Sequence, residues 1–219
     1  LINIEQDDKV KAFICTQDLK DDDYINNHYV IMTTKMGQVK KTSLEQYSRP
    51  RSNGINAITI KDGDELLEAK LTNGNSQIML AVKSGKAIRF EESKTRPMGR
   101  NASGVRGIRL KDNKDEVVGM ISVNDMDANI LVVSENGYGK RSSLEDYRLT
   151  NRGGKGVKTI SITSKTGQLV SLKSVTDSDD LMIINKSGIA IRMQVADLRV
   201  MGRATPVSYT HLTLPTSYA

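Results

Sequence analysis

Ile78-Met79-Leu80-Ala81-Val82-Lys83-Ser84-Gly85-Lys86-Ala87-Ile88-Arg89-Phe90 reads as a two-stranded hairpin, and its recurrence decides the fold. Ile78 to Val82 is apolar throughout, as expected of a strand covered on both faces. Lys83-Ser84-Gly85-Lys86 is a tight turn of the glycine-containing kind. Ala87 to Phe90 alternates, placing Ile88 and Phe90 on one face and Arg89 on the other. The pattern repeats around Gly37, Gly137 and Gly188, so that the four turn glycines are separated by 48, 52 and 51 residues. The matching apolar runs are Tyr29-Val30-Ile31-Met32, Ile130-Leu131-Val132-Val133 and Leu181-Met182-Ile183-Ile184. Each copy carries a cation four positions past its glycine: Lys41, Arg89, Arg141 and Arg192. An Arg-bearing loop follows, and three copies return through Gly54-Ile55, Gly104-Val105 or Gly156-Val157 to a further apolar segment.

A period near 50 residues with strand-like units marks a propeller-type array. No single unit is large enough to bury its own apolar face. Four strands per unit are expected, the number found in a propeller blade. In the second unit these are Glu65–Leu71, Ile78–Val82 as the central strand, Ala87–Phe90 and Val105–Leu110. The fold class is therefore all-β, a propeller-like array of about four four-stranded blades in one domain. The expected division is a last strand of a preceding blade at 1–4, blades at 5–61, 62–111 and 112–163, and an incomplete blade at 164–206. Leu1-Ile2-Asn3-Ile4 aligns with the segment around Ile108-Arg109-Leu110, so the chain is expected to be a piece of a longer array. Residues 207–219 match no part of the repeat and read as a non-native tail.

With 4% aromatic residues and no Trp, the core must rest on Ile, Leu, Val and Met. The longest apolar runs are about five residues, against roughly 20 for a membrane-spanning helix. No export signal opens the chain, and a cytoplasmic protein is expected. The one cysteine, Cys15, has no partner for an internal disulfide and reads as a small buried hydrophobe in a strand Ala12-Phe13-Ile14-Cys15.

Charge follows the repeat. Windows 40–51, 86–111, 139–158 and 186–203 hold 22 of the 32 Lys and Arg but 6 of the 26 Asp and Glu, a net of +16. The rest of the chain carries a net of −10, with acids gathered in turns such as Asp21-Asp22-Asp23 and Asp177-Ser178-Asp179-Asp180. Arranged around an axis, such units build a basic stripe, the footprint of a polyanion partner. The candidates are the strand cations Lys41, Arg89, Arg141 and Arg192, with Lys40 and Lys140 beside two of them. Alternation turns each strand cation away from the apolar residues, toward solvent or a shared anion. The loop cations are Arg49, Arg51, Arg96, Arg100, Arg106, Arg148, Arg152, Lys155, Arg199 and Arg203. They sit among glycines and prolines that let a backbone approach phosphate oxygens, for which the guanidinium fork is fitted. Contacts of this kind position a phosphate backbone without reading bases.

Catalytic constellations are not found in the sequence. His28 and His211 are the two histidines, and with one Cys they assemble neither a nucleophile set nor metal-ligand spacing. The Asp-rich turns lack an EF-hand pattern. Arg152-Gly153-Gly154-Lys155-Gly156 is not followed by the Gly-Lys-Ser/Thr and helix of a nucleotide-binding loop. No metal or cofactor is expected in this domain.

Gly137-Tyr138-Gly139-Lys140-Arg141, the run Met98-Gly99-Arg100-Asn101-Ala102-Ser103-Gly104-Val105-Arg106-Gly107-Ile108, and Val200-Met201-Gly202-Arg203 closely resemble the C-terminal domain of the DNA gyrase A subunit. The resemblance runs to about Thr205. It implies a β-pinwheel, a disc whose blades exchange strands and whose basic rim wraps double-stranded DNA. It also implies a bacterial, chromosome-associated setting, in which the partners are the rest of gyrase A together with gyrase B. The cleavage tyrosine and the ATP and Mg sites of such an enzyme lie in other parts. That family's disc usually has six blades, so two are expected to be missing. The family's signature box, Gln-Arg-Arg-Gly-Gly-Lys-Gly, is absent as such. Thr150-Asn151-Arg152-Gly153-Gly154-Lys155-Gly156 matches five of its seven positions and reads as a degenerate copy that contributes DNA contacts. The alternatives are the C-terminal domain of the topoisomerase IV A subunit, or a propeller-like scaffold that docks an acidic protein.

Overall fold

A computed structural model describes residues 8–185, 187–203 and 205. The first hairpin is β1 (Tyr29–Thr34) and β2 (Gln38–Ser43), followed at a distance by β3 (Leu66–Thr72). The second is β4 (Gln77–Val82) and β5 (Lys86–Glu91), followed by the short β6 (Val105–Arg106) and by β7 (Val117–Val123). The third is β8 (Asn129–Ser134) and β9 (Gly139–Ser143), followed by β10 (Val157–Lys158) and β11 (Leu169–Val175). The fourth is β12 (Asp180–Ile184) and β13 (Ala190–Gln194). Every hairpin closes on its repeat glycine. The Gly37, Gly85, Gly137 and Gly188 amides donate to the carbonyl three residues back at 2.9–3.0 Å. Their φ values of 77–83° lie in the left-handed region that side chains disfavour.

The chain then folds back across unit boundaries. The first sheet has the order β3-β1-β2-β6 and the second β10-β5-β4-β7. The third is β11-β8-β9 and the fourth β12-β13. β3, β7 and β11 pack on one another, so they form the inner edge, while β6 and β10 lie at the outer edge. Each long loop thus leaves its own hairpin and seals the outer edge of the preceding sheet. Backbone contacts repeat along this seal: Met98, Thr150 and Met201 donate to the carbonyls of Lys41, Arg89 and Arg141 at 2.7–2.9 Å.

This corrects the expected unit boundaries. The strand foreseen as the first of unit 62–111 completes the first sheet, and the one foreseen as its fourth seals that same sheet. Only Val105–Arg106 of the expected 105–110 strand is in register. The period was right and the phase was not, because alternation marks a strand without naming its partner. The expected strand at 1–4 and tail at 207–219 lie outside the described residues. The segment Ala12–Cys15 forms no strand; Ala12 and Ile14 lie against the core, while Phe13 and Cys15 are exposed. Only one of its faces is covered. A short helix, α1 (Asp22–Asn27), capped by the Asp21 side chain, is too brief to show a helical period in sequence.

The core lies between sheets. Ile78, Leu80 and Val82 of β4 join Ile31 and Val39 of the first sheet, while Met79 and Ala81 turn the other way to Ile130 and Val132. In β8, Leu131 packs instead toward Val175, Val195 and Leu198. β4 and β8 are apolar through their middles because each is sandwiched by two neighbouring sheets.

The seal depends on close backbone approach. A Cβ on Gly156 would lie 2.5 Å from the Ala87 carbonyl oxygen, and φ there is +70°. Gly54 has a similar φ of +77° but nothing within 4 Å of its Cβ position. Gly156→Ala is expected to cost about 1–3 kcal/mol more than Gly54→Ala in urea denaturation. Equal costs would show that the contact, as distinct from the dihedral, is unimportant.

Candidate nucleic-acid interface

Three of the four strand cations are turned into the joint between blades. Lys41 is 4% exposed, and its ammonium forms a 2.8 Å ion pair with Glu92 and lies 4.0 Å from the centre of the Tyr29 ring. Arg89 donates from one guanidinium nitrogen to the Leu144 and Tyr147 carbonyls at 2.8 and 3.0 Å. Arg141, also 4% exposed, donates to the Val195 and Leu198 carbonyls at 3.1 and 3.4 Å and pairs with Asp177. In all three the target is the 3₁₀ turn after the next hairpin: Glu92–Lys94, Leu144–Asp146 and Val195–Asp197. The Leu144 and Val195 carbonyls already accept from the Tyr147 and Leu198 amides of their own turns, and the guanidinium adds a second donor to each oxygen. Burial closes Lys41 and Arg141 to direct contact with a ligand, contrary to expectation, while Arg89 is partly exposed; all three join each blade to its successor. Arg192 is exposed and pairs with Asp180.

Glu92 shows how chemistry adapts to the cation. The other 3₁₀ turns begin with Leu44, Leu144 and Val195, all buried. An Arg fork reaches two carbonyls, whereas Lys is a point charge and is met by a carboxylate. The Glu92 carboxylate also accepts from the Thr72 hydroxyl at 2.7 Å and the Ser76 amide at 3.2 Å, so it is fully engaged. A Glu at a position that is apolar in the other repeats was the sequence signal for this pairing.

Lys40 and Lys140 are deeper still, at 0% and 1% exposed. Lys40 donates to the Ala57 carbonyl and, at 2.6 Å, to the Arg100 carbonyl. Lys140 donates to the carbonyls of Gly202, Arg203 and Thr205. Direct contact with a ligand, expected from sequence, is closed to both. Burial, and after it the Arg100 charge, push the Lys40 ammonium down from 10.5 to about 8. Burial, then the Arg203 charge, do the same for Lys140, with Asp146 opposing.

The loop cations form the outer edge. Arg49, Arg51, Arg96, Arg106, Arg148, Lys155 and Arg199 are exposed, and none makes a side-chain ion pair among the described residues. Arg109 and Lys158, passed over as individual candidates although they lie in the basic windows, are exposed beside them. The second arginine of each of the last three loops is half-buried. Arg100 donates to the Asn56 carbonyl at 3.5 Å, Arg152 to those of Lys94 and Arg106 at 2.9 and 3.1 Å, and Arg203 to those of Asp146 and Lys158. Each ties its loop to the loop of the preceding blade. Gly153 and Arg109 amides continue the chain of bonds, to Gly107 and Gly154 carbonyls at 2.6 and 2.8 Å. The result is one interlocked ribbon carrying free guanidinium and ammonium groups. In its middle, Arg89, Arg148, Thr150, Asn151, Lys155 and the Gly154 and Gly156 backbone line a shallow hollow. Among the described residues no cluster of His, Cys, Asp and Glu is arranged to hold a metal.

Two outcomes follow for stability. Lys41→Ala strands a buried carboxylate and is expected to cost about 3–5 kcal/mol in urea denaturation; a cost below 1 kcal/mol would contradict the pairing. For Lys140 the folded form releases its proton at a lower pH than the unfolded chain, so between pH 8 and 10.5 the unfolded chain binds more protons. Stability from this group therefore rises with pH across that window. The unfolding free energy of the wild type relative to Lys140→Met should increase from pH 7.5 to pH 9.5; a decrease would mean that the ammonium's hydrogen bonds outweigh its burial.

A family model described as DNA gyrase C-terminal domain, beta-propeller, matches residues 28–73, 77–124, 128–176 and 179–207. The first three matched segments end just after β3, β7 and β11, in agreement with the sheets and not with the boundaries expected from sequence. The DNA gyrase A protein of Staphylococcus aureus (strain NCTC 8325 / PS 47) is 43% identical over 205 residues, 93% of this chain and 22% of that protein. The chain thus spans about a fifth of the length of the curated relatives it matches. Among solved structures, the C-terminal domain of DNA topoisomerase IV superposes with a TM-score of 0.79 at 26% identity, covering 85% of this chain and 58% of that one. A DNA gyrase A C-terminal domain gives 0.76 at 25% identity, covering 87% and 63%. Repeat, sheet order and similarity agree: the chain belongs to the DNA gyrase C-terminal domain family of β-propellers.

Proposed function

We propose that this chain binds and bends duplex DNA around its outer ribbon, as a non-catalytic wrapping module of a gyrase A protein. The observation that carries this reading is the ribbon itself, with Arg96, Arg148 and Arg199 exposed at equivalent places in successive blades. Phosphates recur along a duplex, and a recurring row of cations on a curved edge is matched to them. Bending a site of 20–30 bp by 40–90° costs on the order of 1–6 kcal/mol, so contacts on several blades must share the cost. Interlocking by Arg100, Arg152 and Arg203 supports this, because a ribbon that holds its shape loses less entropy on binding.

In the complete protein this module would hand a wrapped segment to a catalytic core formed with the rest of gyrase A and gyrase B, and so direct ATP-driven supercoiling. ATP and Mg chemistry would belong to those other parts, in the bacterial cytoplasm. The similarity in fold to a topoisomerase IV domain favours one second reading, a topoisomerase IV domain with the same DNA-binding edge.

Binding to duplexes of about 15 and 60 bp across a salt titration tests the proposal. The long duplex should bind at least about tenfold more tightly, with a steep loss of affinity as salt rises. The combined variant Arg96→Glu, Arg148→Glu, Lys155→Glu should lose at least about tenfold on the long duplex. Normal binding by that variant would remove the ribbon as the interface.

A further inference from the structure

Position three past the repeat glycine alternates between blades: Lys40, Ile88, Lys140 and Ile191. Ile88 packs its methyl beneath the loop at Gly154, so the middle loop rests on hydrocarbon. The loops carrying Arg100 and Arg203 rest on an ammonium group instead. Lys40 gathers the Arg100 carbonyl together with that of Ala57 in the preceding loop, and Lys140 gathers those of Gly202, Arg203 and Thr205. No carboxylate forms an ion pair with either lysine among the described residues. A buried cation without a counter-ion is costly and gains from any anion brought near it.

We propose that Lys40 and Lys140 are positioning residues of the DNA-binding ribbon, holding two of its arginine loops from below and taking up protons when a phosphate backbone settles above them. This rests on the DNA reading of the ribbon. The groups facing Lys40 are Arg100 from the loop and Tyr47 from the 3₁₀ turn, whose hydroxyl donates to the same Ala57 carbonyl at 3.1 Å. Those facing Lys140 are Arg203, Asp146 and Lys158. Cations dominate both settings, and the Asp146 carboxylate is already held by the Arg203 amide at 2.9 Å. Near pH 8 each free lysine is therefore about half protonated. A phosphate held by Arg100 or Arg203 lies within a Debye length, about 8–10 Å, of the ammonium beneath and favours its charged form. If the DNA raises each lysine by about one pH unit, affinity between pH 9 and pH 7 rises by roughly fivefold per lysine.

The test is calorimetric titration of the chain with a duplex of about 60 bp, at one pH in two buffers of different ionisation enthalpy. At pH 8.0 the wild type should take up as much as about one proton per chain, and at pH 6.5 almost none, because both lysines are then charged before binding. The double variant Lys40→Ile, Lys140→Ile adopts the residue of the alternate blades and leaves every other titratable group in place. It should bind without proton uptake and lose the gain in affinity from pH 9 to pH 7. Wild-type binding at pH 8.0 with no buffer-dependent heat overturns the assignment without any variant, as does uptake retained in the double variant. Failure of the wild type to bind the duplex at all would remove the DNA reading first, and this one with it.

Discussion

The structure depends on a cation placed where one blade can grip the next. The 3₁₀ turns at Leu144–Asp146 and Val195–Asp197 present backbone carbonyls that can accept a further donor, and the turn at Glu92–Lys94 presents a carboxylate. Lys41, Arg89 and Arg141 reach across the gap to these turns, through a carboxylate in one case and through carbonyls in the other two. The same residues accept a backbone hydrogen bond from the returning loop. One strand position therefore fixes both the successor's turn and the seal on its own outer edge. A propeller-like array has no continuous sheet to set the relation between blades, and here side-chain charge sets it.

This placement divides the positive charge into two populations. One is consumed inside: Lys40, Lys41, Lys140 and Arg141 are nearly free of solvent, and their terminal nitrogens are bound to carbonyls or carboxylates. The other is displayed: Arg96, Arg148, Lys155 and Arg199 stand on the outer loops. Arg100, Arg152 and Arg203 bridge the two, half-buried and tied to the preceding loop. The structural set keeps the displayed set at fixed spacing, which is what a polyanion with a regular phosphate repeat demands of its partner.

Burial between sheets explains the composition. Successive residues of β4 enter different cores, Ile78 and Leu80 on one side and Met79 and Ala81 on the other. With both faces covered, the strands need no polar alternation, and small flexible side chains fill the gaps without Trp. Where only one face is covered, as along Ala12–Cys15, alternation returns and Phe13 stands exposed.

The sequence by itself determined the period, the hairpins, the all-β class and the concentration of charge in the loops, since these depend on local alternation and on glycine's access to positive φ. It could not determine which sheet each strand joins. β3 and β6 both crossed the expected boundary, because pairing is settled by which edge is free when the chain returns. Nor could it separate the two kinds of cation. Lys41 and Arg96 are alike in sequence as repeated basic positions, and only packing shows that one lies under the next blade's turn while the other lies in water. The alternation rule pointed Arg89 away from Ile88 and Phe90 correctly, but in a stacked array that opposite face meets the next blade's turn. A residue's charge is written in the sequence; whether that charge meets solvent or a neighbouring carbonyl is decided by the tertiary structure.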